Sequence, residues 1–324
     1  MENNENRGTE QGYFPESGYA PQPGLVTREE SQSRYVPEQY KNGKKPVLAI
    51  ILSFLIMVAF LAIQVAVMIP FVVGGMFKTA KEIKANSEII DEGEIVEALM
   101  GSFDAIGLTL VATLVSLIVA VLWYKMVYCQ GYKFSDLKRT MKRVFVPRTI
   151  CGLFLAALGM FYVINFLLLL FNLIWPSAME EYSNLIESAG LDDMDWKMIV
   201  LTVVMAPINE ECIMRGIIFT KLKDNLPSIA AILISALYFG IFHLNVVQGT
   251  YAALLGIFMA YLAYKYKSIV APMLFHAMFN GLNYLLVLLP TWVQESVVLD
   301  VIIPLACGVA WFFLEWKRKI ADIE

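Results

Sequence analysis

Apolar residues in this chain come in long unbroken runs rather than in short periodic stripes. Eight runs stand out, at about 47–73, 105–128, 150–175, 198–220, 228–244, 250–266, 268–290 and 296–316. A helix crossing the hydrocarbon needs roughly 20 apolar residues. The fifth and sixth runs are short, which suits tilted or partly re-entrant helices. Strict two-residue alternation, the mark of a membrane β-strand, is absent. The pattern predicts an all-α, polytopic integral membrane protein with about eight transmembrane helices.

Composition agrees: 58% of residues are hydrophobic, 17% are charged, and the mean hydropathy is +0.61. Charge placement then orients the chain. With the N-terminus inside, all but four of the 25 Lys and Arg residues fall in cytosolic segments or the helix ends leading into them. The exceptions are Lys78, Lys81, Lys84 and Lys197, while the long external loops at about 79–104 and 176–197 are acidic. Positive-inside bias therefore predicts an even number of spans and two cytosolic termini. The formal charge of −4 averages over this asymmetry.

Residues 1–45 are polar, rich in Tyr, Pro, Gln, Asn and Glu, and without period, so they read as a disordered cytosolic tail. No cleavable signal peptide is visible. Residues 46–175 hold the first three helices and a basic cytosolic loop, 176–316 a second transmembrane domain, and 317–324 a basic cytosolic tail. In the basic loop, Phe134, Leu137, Met141 and Phe145 recur at helical spacing among Lys138, Arg139, Lys142 and Arg143. That suits an interfacial helix on anionic lipid, or equally a charged topology anchor. Cys129, Cys151, Cys212 and Cys307 all avoid the external loops, so no structural disulfide is expected.

Against this background the polar residues inside the runs stand out. Ionisable groups at membrane depth are expensive unless paired or facing a wet cavity, so each is a functional-site hypothesis. The chain's two histidines, His243 and His276, both lie in such runs, and a third run is broken by Asn209-Glu210-Glu211 and Arg215. Glu211 and Arg215, four apart, share a helix face and are placed to pair. Glu210 lies about 100 degrees further round and is free to point elsewhere. Pro207 removes a backbone donor just before them and can kink the helix or open room for water. His276 and Asn280 also share a face, offering two donors for an oxyanion. From the cytosolic helix ends, depths of about 17 Å for Glu210, about 12 Å for His276 and about 24 Å for His243 permit a common site. A carboxylate beside an imidazole can deprotonate water.

These residues carry a resemblance. Glu210-Glu211-Cys212-Ile213-Met214-Arg215 resembles the E-E-x-x-x-R motif of the CPBP intramembrane proteases, which include the type II CAAX prenyl endopeptidases. Phe239 to His243 resembles their F-x-x-x-H motif and His276 to Asn280 their H-x-x-x-N motif, in family order over roughly 198–290. The resemblance implies an intramembrane endopeptidase in which Glu210 is the catalytic carboxylate and His243 helps it activate water. His276 and Asn280 would stabilise the oxyanion, and Glu211 with Arg215 would hold the site together.

Zinc or another divalent metal on Glu210, His243 and His276 fits the ligand count, yet no H-E-x-x-H is present and Asn280 suits a donor better. A metal-free site is therefore the slightly favoured expectation. The expected partners are membrane lipid and a membrane-associated peptide or protein substrate, with no nucleic-acid motif. The expected location is a cell membrane, multi-pass and bacterial. Two other readings stay open: a transporter or channel using Glu210, His243 and His276 as an ion or proton relay, and an inactive immunity or partner-binding relative. Asn165, Asn172 and Asn283 read as helix–helix hydrogen bonds, Phe239 as packing, and Gln64 and Asp300 as packing or cavity residues.

Overall fold

Prolines and capping side chains set the helix boundaries that hydropathy alone leaves loose. The computed structural model describes residues 44–86, 104–128, 140–188, 195–294 and 296–315, and among these every regular element is helical. In chain order they are α1 (Pro46–Asn86), α2 (Ala105–Tyr128), α3 (Pro147–Ile174), α4 (Pro176–Ser188), α5 (the helical run 196–225), α6 (Ser228–Phe242), α7 (Val246–Tyr266), α8 (Val270–Leu286), α9 (Thr291–Gln294) and α10 (Val297–Glu315). Five stretches are long and apolar enough to cross a membrane: Pro46–Lys81, Ile106–Tyr128, Pro147–Ile174, Val246–Tyr266 and Val297–Leu314. The tail expected at 1–45 lies outside the described residues but for Lys44 and Lys45. So do 129–139 of the basic loop and the tail 317–324.

Three boundaries differ from the hydropathic reading. α1 continues past the apolar run to Asn86, taking in Lys78, Lys81 and Lys84, which hydropathy puts at the edge of a loop. The external segment after α3 is not all loop, because Pro176 starts the amphipathic helix α4. α7 begins at Val246, four residues before the apolar run. Asn245 caps it, its side-chain oxygen accepting from the Val247 and Gln248 amides. Such a cap satisfies helix N–H groups that would otherwise be orphaned.

α5 is one helical run made of five segments: α-helical Trp196–Ile199, π-helical Val200–Met205, α-helical Ala206–Glu211, π-helical Cys212–Phe219 and α-helical Thr220–Asn225. π-helical turns are rare and gather at functional sites. The first accommodates Pro207. The Ala206 N–H reaches back five residues to the Leu201 carbonyl instead of four to Thr202. Pro207, next in line, has no N–H to offer. The Thr202 carbonyl is thus met by neither residue and is left open to a donor from elsewhere.

α5 to α8 follow one another through tight turns. His243 caps the end of α6, and Leu244 adopts φ 55°, a left-handed conformation rare for a branched apolar residue. α6 and α7 then pack along small residues. A methyl group on Gly240 would stand 2.5 Å from the Gly249 carbonyl oxygen, and one on Gly256 3.0 Å from the Ala236 backbone. This seam brings the α6 C-terminus and the α7 backbone against α5. Gly240→Ala is expected to lower stability by about 1–3 kcal/mol, as overpacking does. The detergent-solubilised thermal midpoint measures it, and an unchanged midpoint would show that the seam has slack.

Candidate active site

Two charges lie fully buried among apolar helices. Glu211 and Arg215 are both 0% exposed, and Arg215 Nη1 donates to Glu211 Oε1 at 2.7 Å. Arg215 Nη2 donates to the Gly256 carbonyl at 3.0 Å, and its guanidinium carbon sits 4.7 Å from the Phe239 ring centroid. One side chain therefore ties α5 to α7 and α6 at once. The planar guanidinium is suited to this, since it presents several fixed donors and stacks on aromatic faces.

The same Glu211 oxygen orients an imidazole. His276 Nδ1 lies 3.3 Å from Glu211 Oε1, while His276 Nε2 faces Glu210 Oε2 at 3.9 Å. A carboxylate held by arginine can only accept, so Nδ1 carries the proton in this contact. Glu210 is the less buried carboxylate, its side chain 16% exposed, and its Oε2 has no hydrogen-bond partner. The adjacent glutamates thus differ in surroundings: Glu211 uses Oε1 for both Arg215 and His276 and lies off the cavity, whereas Glu210 lines it, although each keeps a buried Oε2 without a hydrogen-bond partner.

His243 is fixed by its own helix. Its Nδ1 lies 2.8 Å from the Phe239 carbonyl oxygen, and a carbonyl only accepts, so Nδ1 is the protonated nitrogen and Nε2 keeps its lone pair. Phe239 stands edge-on to both imidazoles, with centroid distances of 4.9 Å to His243 and 5.9 Å to His276. It thereby packs against both rings and backs the guanidinium. Asn280 Nδ2 donates to the open Thr202 carbonyl at 2.7 Å. The local break at Pro207 therefore decides where the Asn280 carboxamide rests.

Glu210, His243, His276 and Asn280 line one cavity of about 510 Å³. Gln64, Asn165, Thr202 and Tyr251 contribute further polar groups to it. Tyr182 of α4 meets Tyr251 of α7 through their hydroxyls at 3.2 Å, so the amphipathic helix flanks the cavity. Asn165 and Asn283, read from sequence as helix–helix hydrogen bonds, are cavity residues instead. Asn283 donates to the Phe279 and Asn280 carbonyls of its own helix. Gln64 lines the main cavity and Asp300 an adjoining one of about 440 Å³. Sequence reasoning missed Thr202 and the two tyrosines. Only Pro207, five residues on, could have marked Thr202.

A metal would need the two histidines and Glu210 to converge. Among the described residues no three His, Cys, Asp or Glu side chains gather closely enough to hold one. His276 and Glu210 are adjacent, but His243 does not complete a common centre with them. The donor set as arranged does not fit a bound ion.

Residues 193–282 match the family model described as type II CAAX prenyl endopeptidase Rce1-like. The match takes in α5, α6, α7 and most of α8, and so every residue of the three motifs, in agreement with the resemblance in the sequence. No curated protein and no solved structure matches the chain.

The buried ion pair makes a direct stability prediction. Removing either partner leaves an uncompensated charge in an apolar core, a loss of about 3–5 kcal/mol. Glu211→Ala and Arg215→Ala are expected to yield little folded protein, judged by monodispersity and thermal midpoint in detergent. Arg215→Lys keeps the charge but not the fork that reaches both Glu211 and Gly256, so it should fall between. Well-folded but inactive alanine variants would show that the pair serves chemistry rather than architecture.

Proposed function

We propose that this chain is an intramembrane endopeptidase that hydrolyses a peptide bond in a membrane-associated peptide or protein. The observation that carries the reading is the unpartnered Glu210 carboxylate oxygen beside His276, in a cavity set among apolar helices. The family match over 193–282 supports the same class. In this reading eight helices cross the membrane (α1–α3, α5–α8 and α10), both termini are cytosolic, and the membrane is a bacterial cell membrane.

The chemistry follows from the side chains present. Water in the cavity gives a proton to Glu210 as its oxygen attacks the scissile carbonyl. The Nε2 lone pair of His243 accepts a hydrogen bond from that water and orients it. Negative charge develops on the carbonyl oxygen and is met by the uncommitted amide hydrogen of Asn280. His276, held through Nδ1 by Glu211, donates from Nε2 when doubly protonated. Collapse of the tetrahedral adduct breaks the C–N bond, and the proton on Glu210 passes to the leaving amine. Glu211 positions His276 much as a third residue orients the base in a catalytic triad. No step is assigned to a metal.

Glu210→Gln keeps size and removes the base, so cleavage is expected to fall by about 10²–10⁴-fold with folding intact. Asn280→Ala removes one oxyanion donor, a loss of about 10²–10³-fold. It also orphans the Thr202 carbonyl, which should lower stability by about 1–3 kcal/mol. Quantitative proteomics of membrane peptides from cells carrying native chain or Glu210→Gln measures the first effect, through precursors accumulating only in the variant. Absence of any such precursor, together with Glu210-dependent proton flux in liposomes, would favour an ion relay instead. Zinc bound one per chain, whose chelation ends cleavage and whose return restores it, would overturn the metal-free chemistry.

A further inference from the structure

Contacts between helix ends sort the molecule into two faces. The Lys45 amide donates to Asn225 Oδ1, and Arg148 Nε donates to the Leu314 carbonyl. These contacts and the short turns 226–227 and 267–269 put the start of α1, the start of α3, the α5–α6 turn, the α7–α8 turn and the end of α10 at one face. Lys197 pairs with Asp104 at 2.6 Å, and Tyr182 meets Tyr251. These contacts gather the starts of α2, α5 and α7 at the other face, with α4. Lys44, Lys45, Lys125, Arg148, Lys223 and Lys267 all belong to the first face. The second carries Glu180, Glu181, Glu187 and Asp195, besides Lys197 and the lysines at the far end of α1.

The cavity lies wholly toward the second face. On α5 its lining runs from Leu201 to Glu210 and stops. The next segment, Cys212–Phe219, is buried at all eight positions. On α7 the lining ends at Leu255, beyond which Met259, Ala260 and Leu262 are 0% exposed. On α8 it runs from His276 to Val287, and on the other side of His276 both Phe275 and Ala271 are 0% exposed. The rim at the second face is open: Asn283 is exposed and Val287 is 54% exposed. A plug of buried apolar residues therefore closes the cavity toward the basic face, and the cavity's exposed lining lies toward the other.

Basic residues mark the cytosolic side of a polytopic protein. We infer that the cavity opens to the exoplasmic face, and that its substrate is a peptide segment presented from that side, such as the juxtamembrane stretch of an exported or secreted chain. This rests on the proteolytic reading of the site and narrows it. A prenylated C-terminus is made and presented in the cytosol, behind the plug.

Cysteine accessibility tests the sidedness without needing catalysis. In a chain with Cys129→Ala and Cys151→Ala, buried Cys212 and Cys307 are retained, and Asn283→Cys or Lys223→Cys is added. Intact cells are treated with a membrane-impermeant maleimide, and detergent-solubilised samples confirm that each thiol reacts once the membrane is removed. Asn283→Cys is expected to react in intact cells and Lys223→Cys only after permeabilisation. The reverse pattern would overturn the inference and turn the cavity to the cytosol. A second measurement reads the substrate: precursors accumulating in Glu210→Gln cells should be shaved by protease added outside the cells. Precursors fully protected there would also overturn it. Labelling as expected with no precursor at all would sink the proteolytic reading while leaving the sidedness standing.

Discussion

A fully buried charge pair is the constraint on which the rest of this structure depends. Glu211 and Arg215 are both 0% exposed. Desolvating two ions costs several kcal/mol each, and their attraction offsets this only with good geometry and further hydrogen bonds. The structure supplies a 2.7 Å contact, the Gly256 carbonyl and the Phe239 ring, while Glu211 Oε2 and Arg215 Nε are left without a hydrogen-bond partner. Each of those partners sits on a different helix. Satisfying the pair thus fixes the positions of α6 and α7 relative to α5, and the glycine seam between α6 and α7 permits the approach that the Gly256 contact requires.

From that anchor the candidate site residues take their orientation. Glu211 uses the oxygen that binds Arg215 to hold His276, whose far nitrogen turns toward Glu210. The backbone makes a matching adjustment on the other side. Pro207 cannot donate, the first π turn diverts the Ala206 N–H, and the Thr202 carbonyl takes the Asn280 side chain. A helix wound regularly through 200–219 would offer neither the open carbonyl nor the same spacing between Thr202, Glu210 and Arg215. The irregular winding of α5 lets one helix present one carboxylate to Arg215 and the next to the cavity.

Much of this was legible in the sequence because membrane depth makes polar residues conspicuous. The four-residue step from Glu211 to Arg215 stated the ion pair outright, and the step from His276 to Asn280 stated a shared face. What stayed hidden depends on distance between segments rather than along them. Helical spacing could not show that His276, and not His243, is the imidazole that touches both glutamates, because that follows from how α8 lies against α5. Nor could hydropathy reveal α4: its mixture of Glu180, Glu181 and apolar residues averages to a loop, although Pro176 marks its start. The α7 boundary was missed for a related reason, since Asn245 and Gln248 look like turn residues until Asn245 is recognised as a cap.

The plug bears on the choice between hydrolysis and ion relay. Moving an ion or proton across the membrane requires polar access from each face in turn, whereas hydrolysis requires only that water and substrate reach one carboxylate. Beyond Glu211 and Arg215, the π segment presents Ile213, Met214, Ile217 and Ile218 at 0% exposure, backed by Met259, Leu262 and Phe275. Opening a path there would mean separating fully buried apolar side chains and parting the ion pair that ties α5 to α6 and α7. The opposite half is built the other way, with a cavity, a Glu210 oxygen that has no hydrogen-bond partner and, among the described residues, an exposed rim. That asymmetry matches the needs of a one-sided hydrolytic chamber and works against a conduit. It also gives the buried pair a second role, because the contacts that place His276 beside Glu210 also seal the site from the basic face.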